Sequence, residues 1–190
     1  MTGSRRVRGA VAAAALGAIA LVAAACAPPP VAVTRTYTYS VAVDGPVWTN
    51  VDEFRANAAR VFNDHRSWHA AGIGFQEVAE GGDFTLVLAN PGEIPKYDPV
   101  CSEHYSCQVG RYVIINDIRY VVGSPNWPGP ADWYRVMVLN HELGHWLGLG
   151  HQFCSGPGEW APVMQQQSID MQGCQINPWP HGWEIGMVRR

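Results

Sequence analysis

Apolar residues recur every three to four positions from Val51 to Trp68, at Val51, Phe54, Ala58, Val61, Phe62 and Trp68. That is the spacing of one helical face. Thr49 or Asn50 offers a side-chain oxygen to cap the start, and Gly72 and Gly74 stop it, so a helix to about Ala71 is predicted. Elsewhere the period shortens. Thr36–Val43 alternates as a strand and closes on Asp44-Gly45-Pro46, while Phe75–Ala79 and Phe84–Ala89 are strands separated by Gly81-Gly82. Arg111–Ile115 is a further strand, which Ile118–Val122 either pairs with as a hairpin or extends. Beyond a Pro/Gly/Trp loop from Pro125 to Pro130, Asp132 caps a second long helix ending near Leu147. Its buried arc carries Val136, Leu139, Leu143, Trp146 and Leu147. Strand, helix, several strands, helix and an irregular Cys-rich tail, with no internal repeat, define a single α+β (α/β-like) domain over residues 36–190.

The first 25 residues stand apart from this pattern. Arg5, Arg6 and Arg8 precede an Ala/Leu/Val run from Gly9 to Ala25, the layout of an export signal. The run is short for a membrane span of about 20 residues. Leu21-Val-Ala-Ala-Ala-Cys26 resembles a bacterial lipobox, which would make Cys26 a lipidated first residue, with 26–35 and its Pro28-Pro29-Pro30 an extended tether. Cleavage elsewhere, discarding Cys26, is the alternative. Both leave Cys101, Cys107, Cys154 and Cys174, an even set suited to an oxidising compartment. The localisation expected is export, on the outer face of the membrane or free.

Cleavage takes the formal charge from −3 to −6, since three arginines leave and no acid does. With no basic run left, nucleic acid is excluded as the expected partner. A protein or peptide substrate, membrane attachment through a lipid and a monomeric state are expected instead.

The chemistry lies in His141-Glu142-Leu143-Gly144-His145-Trp146-Leu147-Gly148-Leu149-Gly150-His151. On a helix His141 and His145 project from one face and can grip one ion. Glu142 lies about 100° around the helix from His141, near a metal-bound water without being a ligand. Gly148 can take the left-handed conformation that ends the helix, and His151 then returns as third ligand. Three neutral imidazoles leave one open position, as in catalytic rather than structural zinc sites. The remaining histidines, His65, His69, His104 and His181, have no such spacing and read as structural or surface residues.

The pattern HExxHxxGxxH resembles that of the metzincin zinc endopeptidases. Their second mark is a downstream Met in a tight turn under the metal, and Met164 in Ala161-Pro-Val-Met-Gln165 is its counterpart. The stretch from His141 to Pro180 also resembles a family of exported actinobacterial proteins of unknown function. The metzincin likeness implies a mixed twisted sheet with an antiparallel edge strand beside the cleft, assigned here to Arg111, Tyr112, Val113, Ile114, Ile115 and Asn116. It also implies one catalytic Zn2+. Some metzincins carry a Tyr two residues after the Met, where this chain has Gln166.

Four cysteines allow three connectivities. Nearest-neighbour pairing, Cys101–Cys107 and Cys154–Cys174, closes a loop before that strand and another around Met164. A second zinc site is disfavoured, because neither pair has a knuckle's C-x₂₋₄-C spacing. The function expected is hydrolysis of extracellular peptide bonds by a zinc-activated water with Glu142 as general base. A catalytically silent zinc-binding lipoprotein and a zinc amidase acting on cell-wall peptides are the alternatives.

Overall fold

The computed structural model describes residues 31–188. Cys26, the leader and the first part of the expected tether lie outside these residues. Five strands, β1 (Arg35–Asp44), β2 (Ile73–Glu77), β3 (Phe84–Ala89), β4 (Cys107–Val109) and β5 (Tyr112–Asn116), form one sheet in the order β2-β1-β3-β5-β4. All neighbours run parallel except β4, which is antiparallel to β5. This is the α+β architecture with a mixed sheet and an antiparallel edge that the sequence predicted. Among the described residues four α-helices complete it: α1 (Val51–Phe62), α2 (Asp117–Val122), α3 (Ala131–Trp146) and α4 (Gly182–Val188).

The register Leu86↔Val113, Val87↔Ile114 and Leu88↔Ile115 makes successive residues of β3 and β5 face opposite sides. Leu86, Leu88, Val113 and Ile115 join α1 and α3 in the main core, with Tyr39, Phe54, Phe62, Trp68 and Leu139. Val87 and Ile114 face a smaller cluster with Ile94 and Cys101. Interior strands buried on both sides account for the unbroken apolar runs.

Several boundaries differ from expectation. α1, capped by Asn50 through Asp52 N and Glu53 N, stops at Phe62 instead of running to Ala71. The Asn63 side chain exchanges two hydrogen bonds with the backbone of Phe75, and Asp64 accepts from Arg66 N, so short polar side chains compete with the helix. Trp68 still reaches the core, in a 3₁₀ turn over Trp68–Ala71. Ile118–Val122 is neither hairpin partner nor strand but part of α2, because Asn116 caps that helix through Arg119 N. α3 begins at Ala131, one residue before its expected cap, and Asp132 pairs with Arg135 in its first turn. The tail is not wholly irregular, since it ends in α4. The domain also starts slightly early: Thr34 N and Arg35 N both donate to Gly72 O, so the end of the expected tether is bound.

The edge assignment needs correction. Arg111 to Asn116 do not form an edge, because β5 is bonded to β3 on one side and β4 on the other. The antiparallel edge is β4, joined to β5 by the turn Gly110-Arg111, with Gly110 at φ 54°. Disulfide Cys101–Cys107 and hydrogen bonds from Asn116 to Glu103 O and from Arg119 to His104 O hold the loop leading into it. Cys154–Cys174 closes the second expected pair. Two disulfides suit an oxidising compartment. Among the described residues no helix is long and apolar enough to cross a membrane.

Candidate metal centre

The last turns of α3 carry His141, Glu142 and His145 to the floor of a cleft whose opposite wall includes Cys107 and Gln108 of β4. Leu147 ends the helix, and Gly148, at φ 94°, reverses the chain in a conformation that costs glycine little. Leu149 N donates back to Gly144 O, and His151 arrives beside the other two imidazoles. His145 Nε2 lies 3.1 Å from His141 Nε2 and 3.2 Å from His151 Nε2.

The far side of two rings is fixed by backbone. His141 Nδ1 donates to Val163 O and His145 Nδ1 to Leu149 O, each at 2.8 Å. A carbonyl can only accept, so these rings carry their hydrogen on Nδ1 and turn a lone pair inward on Nε2. Converging lone pairs with no proton between them repel unless a cation lies among them. Tetrahedral zinc bonded at about 2.0–2.1 Å holds ligand nitrogens roughly 3.3 Å apart, close to the spacing found. The three residues therefore fit zinc. Burial, and then the neighbouring His145, push the His141 pKa down to about 3. Burial lowers His145 and His151 too. All three imidazoles are thus held in the neutral, metal-binding form.

Glu142 is 5% exposed, lines the same cleft and makes no side-chain hydrogen bond among the described residues. Burial pushes its carboxyl up to about 8. Beneath the histidines Met164 is fully buried in the turn that supplies Val163 O, and Met164 O accepts from Gln152 N, next to His151.

The three consecutive glutamines after Met164 divide their roles. Gln165 accepts from Cys154 N and donates to Met171 O; Gln167 exchanges bonds with Asn177 and donates to Pro162 O. Gln166 lines the cleft, with no side-chain hydrogen bond among the described residues. Sequence reasoning missed three further supports. Asn140 on α3 is fully buried, accepts from Ser67 and donates to Pro178 O. Gly144 lets Met164 and Trp68 approach the helix. Glu184 on α4 is fully buried and accepts from the backbone N–H groups of Val163, Met164 and His181. Burial raises its pKa, while the three amides act in the opposite direction.

Three imidazoles on a helix and its return lie close enough to hold one metal ion, with a carboxylate beside them that has no side-chain hydrogen bond among the described residues. The chain belongs to the family described as "Protein of unknown function (DUF3152)", which it matches over residues 8–182. No curated protein matches it. Among solved structures it is similar to archaemetzincin from Methanopyrus kandleri, at 15% identity and a TM-score of 0.49, over 86% of this chain and 97% of that one.

Proposed function

We propose that the chain is an exported zinc-dependent peptidase with His141, His145 and His151 as ligands and Glu142 as general base. The observation that carries this reading is the convergence of three imidazoles beside a largely buried carboxylate with no side-chain hydrogen bond among the described residues. A structural zinc helix has no use for that carboxylate, and its burial is costly.

Zinc in such a site polarises a carbonyl oxygen and makes a water molecule acidic near neutral pH. Glu142 takes a proton from the attacking water and delivers it to the departing amine nitrogen. A carboxyl already pushed up towards neutrality suits both halves of that transfer, and a cation nearby would draw it back down. The edge strand β4 offers an extended peptide a place to add as a further strand, with Gln108 and Cys107 on the cleft wall. Among the described residues lining the cleft, none outside the metal site is charged, and Met137, Val138 and Ile169 give it apolar walls. A substrate with uncharged side chains at the scissile bond fits that lining. Tyr105 and Gln166 also line it with uncommitted polar ends, and either can donate to the oxygen that gains charge. Comparing Tyr105→Phe with Gln166→Ala assigns that role.

The test is cleavage of casein, a mixed peptide library and purified peptidoglycan, with and without a chelator. Chelator-sensitive cleavage of protein or peptide supports the reading. Cleavage of peptidoglycan alone points to an amidase, and zinc binding without cleavage of anything points to a scaffold. Cys26→Ser tests the lipid anchor separately: the protein should move from membrane to medium, and unchanged fractionation overturns that part.

A further inference from the structure

Glu184 sits where a carboxylate is expensive. It is fully buried, and α4 is only seven residues long. Only N–H donors face it: Met164 N at 3.0 Å from Oε1, and Val163 N at 3.1 Å and His181 N at 2.7 Å from Oε2. Those three donors favour the ionised form, while burial works against it and raises the pKa overall. A helix staple would be served as well by a neutral acceptor. The metal site gives a reason for the charge.

Met164 N and Val163 O belong to the same peptide group, which is planar and conjugated. Its N–H points at Glu184 Oε1, and its carbonyl oxygen accepts from His141 Nδ1 at 2.8 Å. A negative charge on the N–H side polarises the amide and makes its oxygen a stronger acceptor, the cooperativity of chained hydrogen bonds. The metal-binding lone pair on His141 Nε2 then becomes more basic, as it does when a carboxylate contacts a metal-bound histidine directly. His145 offers a contrast within the same site. Its Nδ1 also donates to a carbonyl at 2.8 Å, but the peptide group involved, Leu149 O with Gly150 N, has no carboxylate on its N–H.

We propose that Glu184 is a positioning residue for the metal centre, acting as a remote carboxylate partner of His141 through the single peptide group between Val163 and Met164. The inference rests on the zinc-site reading above but not on any particular substrate. Met164 O also accepts from Gln152 N, which ties the residue after His151 to the same turn.

Two measurements on the full, zinc-loaded chain test it. In the wild type, with ¹⁵N-labelled histidine, the Nδ1–H proton of His141 should resonate downfield of that of His145, despite equal donor–acceptor distances. In Glu184→Gln the amide oxygen can keep the two bonds of Oε2 while its NH₂ faces Met164 N–H, so the relay is cut together with the hydrogen bond that carries it. That variant should move the His141 signal upfield, leave the His145 signal in place and weaken zinc in a chelator competition by about tenfold, the low end for partners behind a ligand. Asp117→Asn is the control: Asp117 is a buried carboxylate accepting two backbone amides, from Trp48 and Thr49, away from the cleft. It should lower thermal stability without changing zinc affinity. The relay is overturned if the two wild-type signals coincide or reverse. It is also overturned if Glu184→Gln loses stability as the control does but keeps its zinc affinity and its His141 signal. If Glu184→Gln fails to fold, the wild-type comparison still decides. A chain that holds zinc and shows the shifted signal but cleaves nothing sinks the peptidase reading and leaves the relay standing.

Discussion

Met164 occupies the space that a side chain on Gly144 would need: a β-carbon there would overlap Met164 Sδ and come within 2.8 Å of Trp68 Cζ2. The glycine inside the metal-binding helix is therefore not a flexible point. It is a notch that brings the methionine turn up against the two ligands of α3, so that Val163 O can reach His141 Nδ1.

Replacing Gly144 by Ala should destabilise the domain even though Ala is the better helix former. The propensity gain is about 1 kcal/mol, whereas forcing a methyl into a packed core costs typically about 1–3 kcal/mol. Because the atoms in the way support His141, zinc affinity should fall as well. Combining Gly144→Ala with Met164→Ala should cost less than the sum of the two, as expected for residues sharing one space. Thermal unfolding and chelator competition measure both. A Gly144→Ala protein as stable as wild type would show that the notch is not needed.

Glu142→Gln keeps shape and volume but removes the proton acceptor. Hydrolysis should drop roughly 10²–10⁴-fold, the weight of general acid–base catalysis, with about one zinc still bound per chain. His145→Ala should instead lose the metal. Equal rates for wild type and Glu142→Gln would rule out Glu142 as the base.

The cluster of three histidines was legible in the sequence because its geometry is local: one helix, one left-handed glycine and one return place them together. Met164 was named by resemblance, and it is buried in the turn whose Val163 O accepts from His141. The edge strand was misread although a warning was present. Val113-Ile114-Ile115 is an unbroken apolar run, the mark of a strand covered on both faces, whereas β4 has only three residues and no pattern to reveal it. Glu184 was invisible for a different reason. Its partners are backbone amides, which leave no residue signature, and two of the three belong to a turn distant in sequence. Gln165 and Gln167 likewise bond mainly to backbone, so three identical residues in a row concealed two staples and one cleft-lining side chain.

The two disulfides should fail in different ways. Cys101 and Cys107 are 6 residues apart, and Cys154 and Cys174 are 20 apart. Loop-closure entropy assigns about 2 kcal/mol to the first and about 3 kcal/mol to the second. The first loop carries the cleft wall and feeds β4, so replacing both its cysteines by Ser should raise KM more than it lowers kcat. The second encloses Met164 and the carbonyl that orients His141, so its removal should weaken zinc as well as stability. Steady-state kinetics and denaturant unfolding separate the two. Identical profiles for both pairs would contradict this division.

The metal-free protein should be acid-sensitive in a defined window. In an unfolded chain the histidines protonate near 6.5, whereas burial and its neighbours push folded His141 down to about 3, with His145 and His151 also lowered. Between about 6.5 and 3 the unfolded state therefore holds more protons on these histidines than the folded state. Stability rises with pH wherever that holds. The histidine contribution is accordingly complete above 6.5 and is lost as pH falls towards 3. Zinc sharpens the effect, because it binds only the neutral imidazoles and only in the folded state, so protons compete with it directly. Glu142 acts in the opposite sense between about 8 and 4.5, because its raised carboxyl holds a proton longer in the folded state. The histidine loss is therefore read as the difference in denaturant midpoint between the metal-free wild type and a variant lacking the ring, measured from pH 6.5 to 4. Midpoints of the zinc-loaded chain should start higher and converge on the metal-free curve as the metal is released. His141→Phe, which removes the titrating ring but keeps an aromatic of similar size, should flatten the metal-free slope. A metal-free slope that His141→Phe leaves unchanged would show that His141 titrates alike in both states, and the burial argument for its neutrality would be lost.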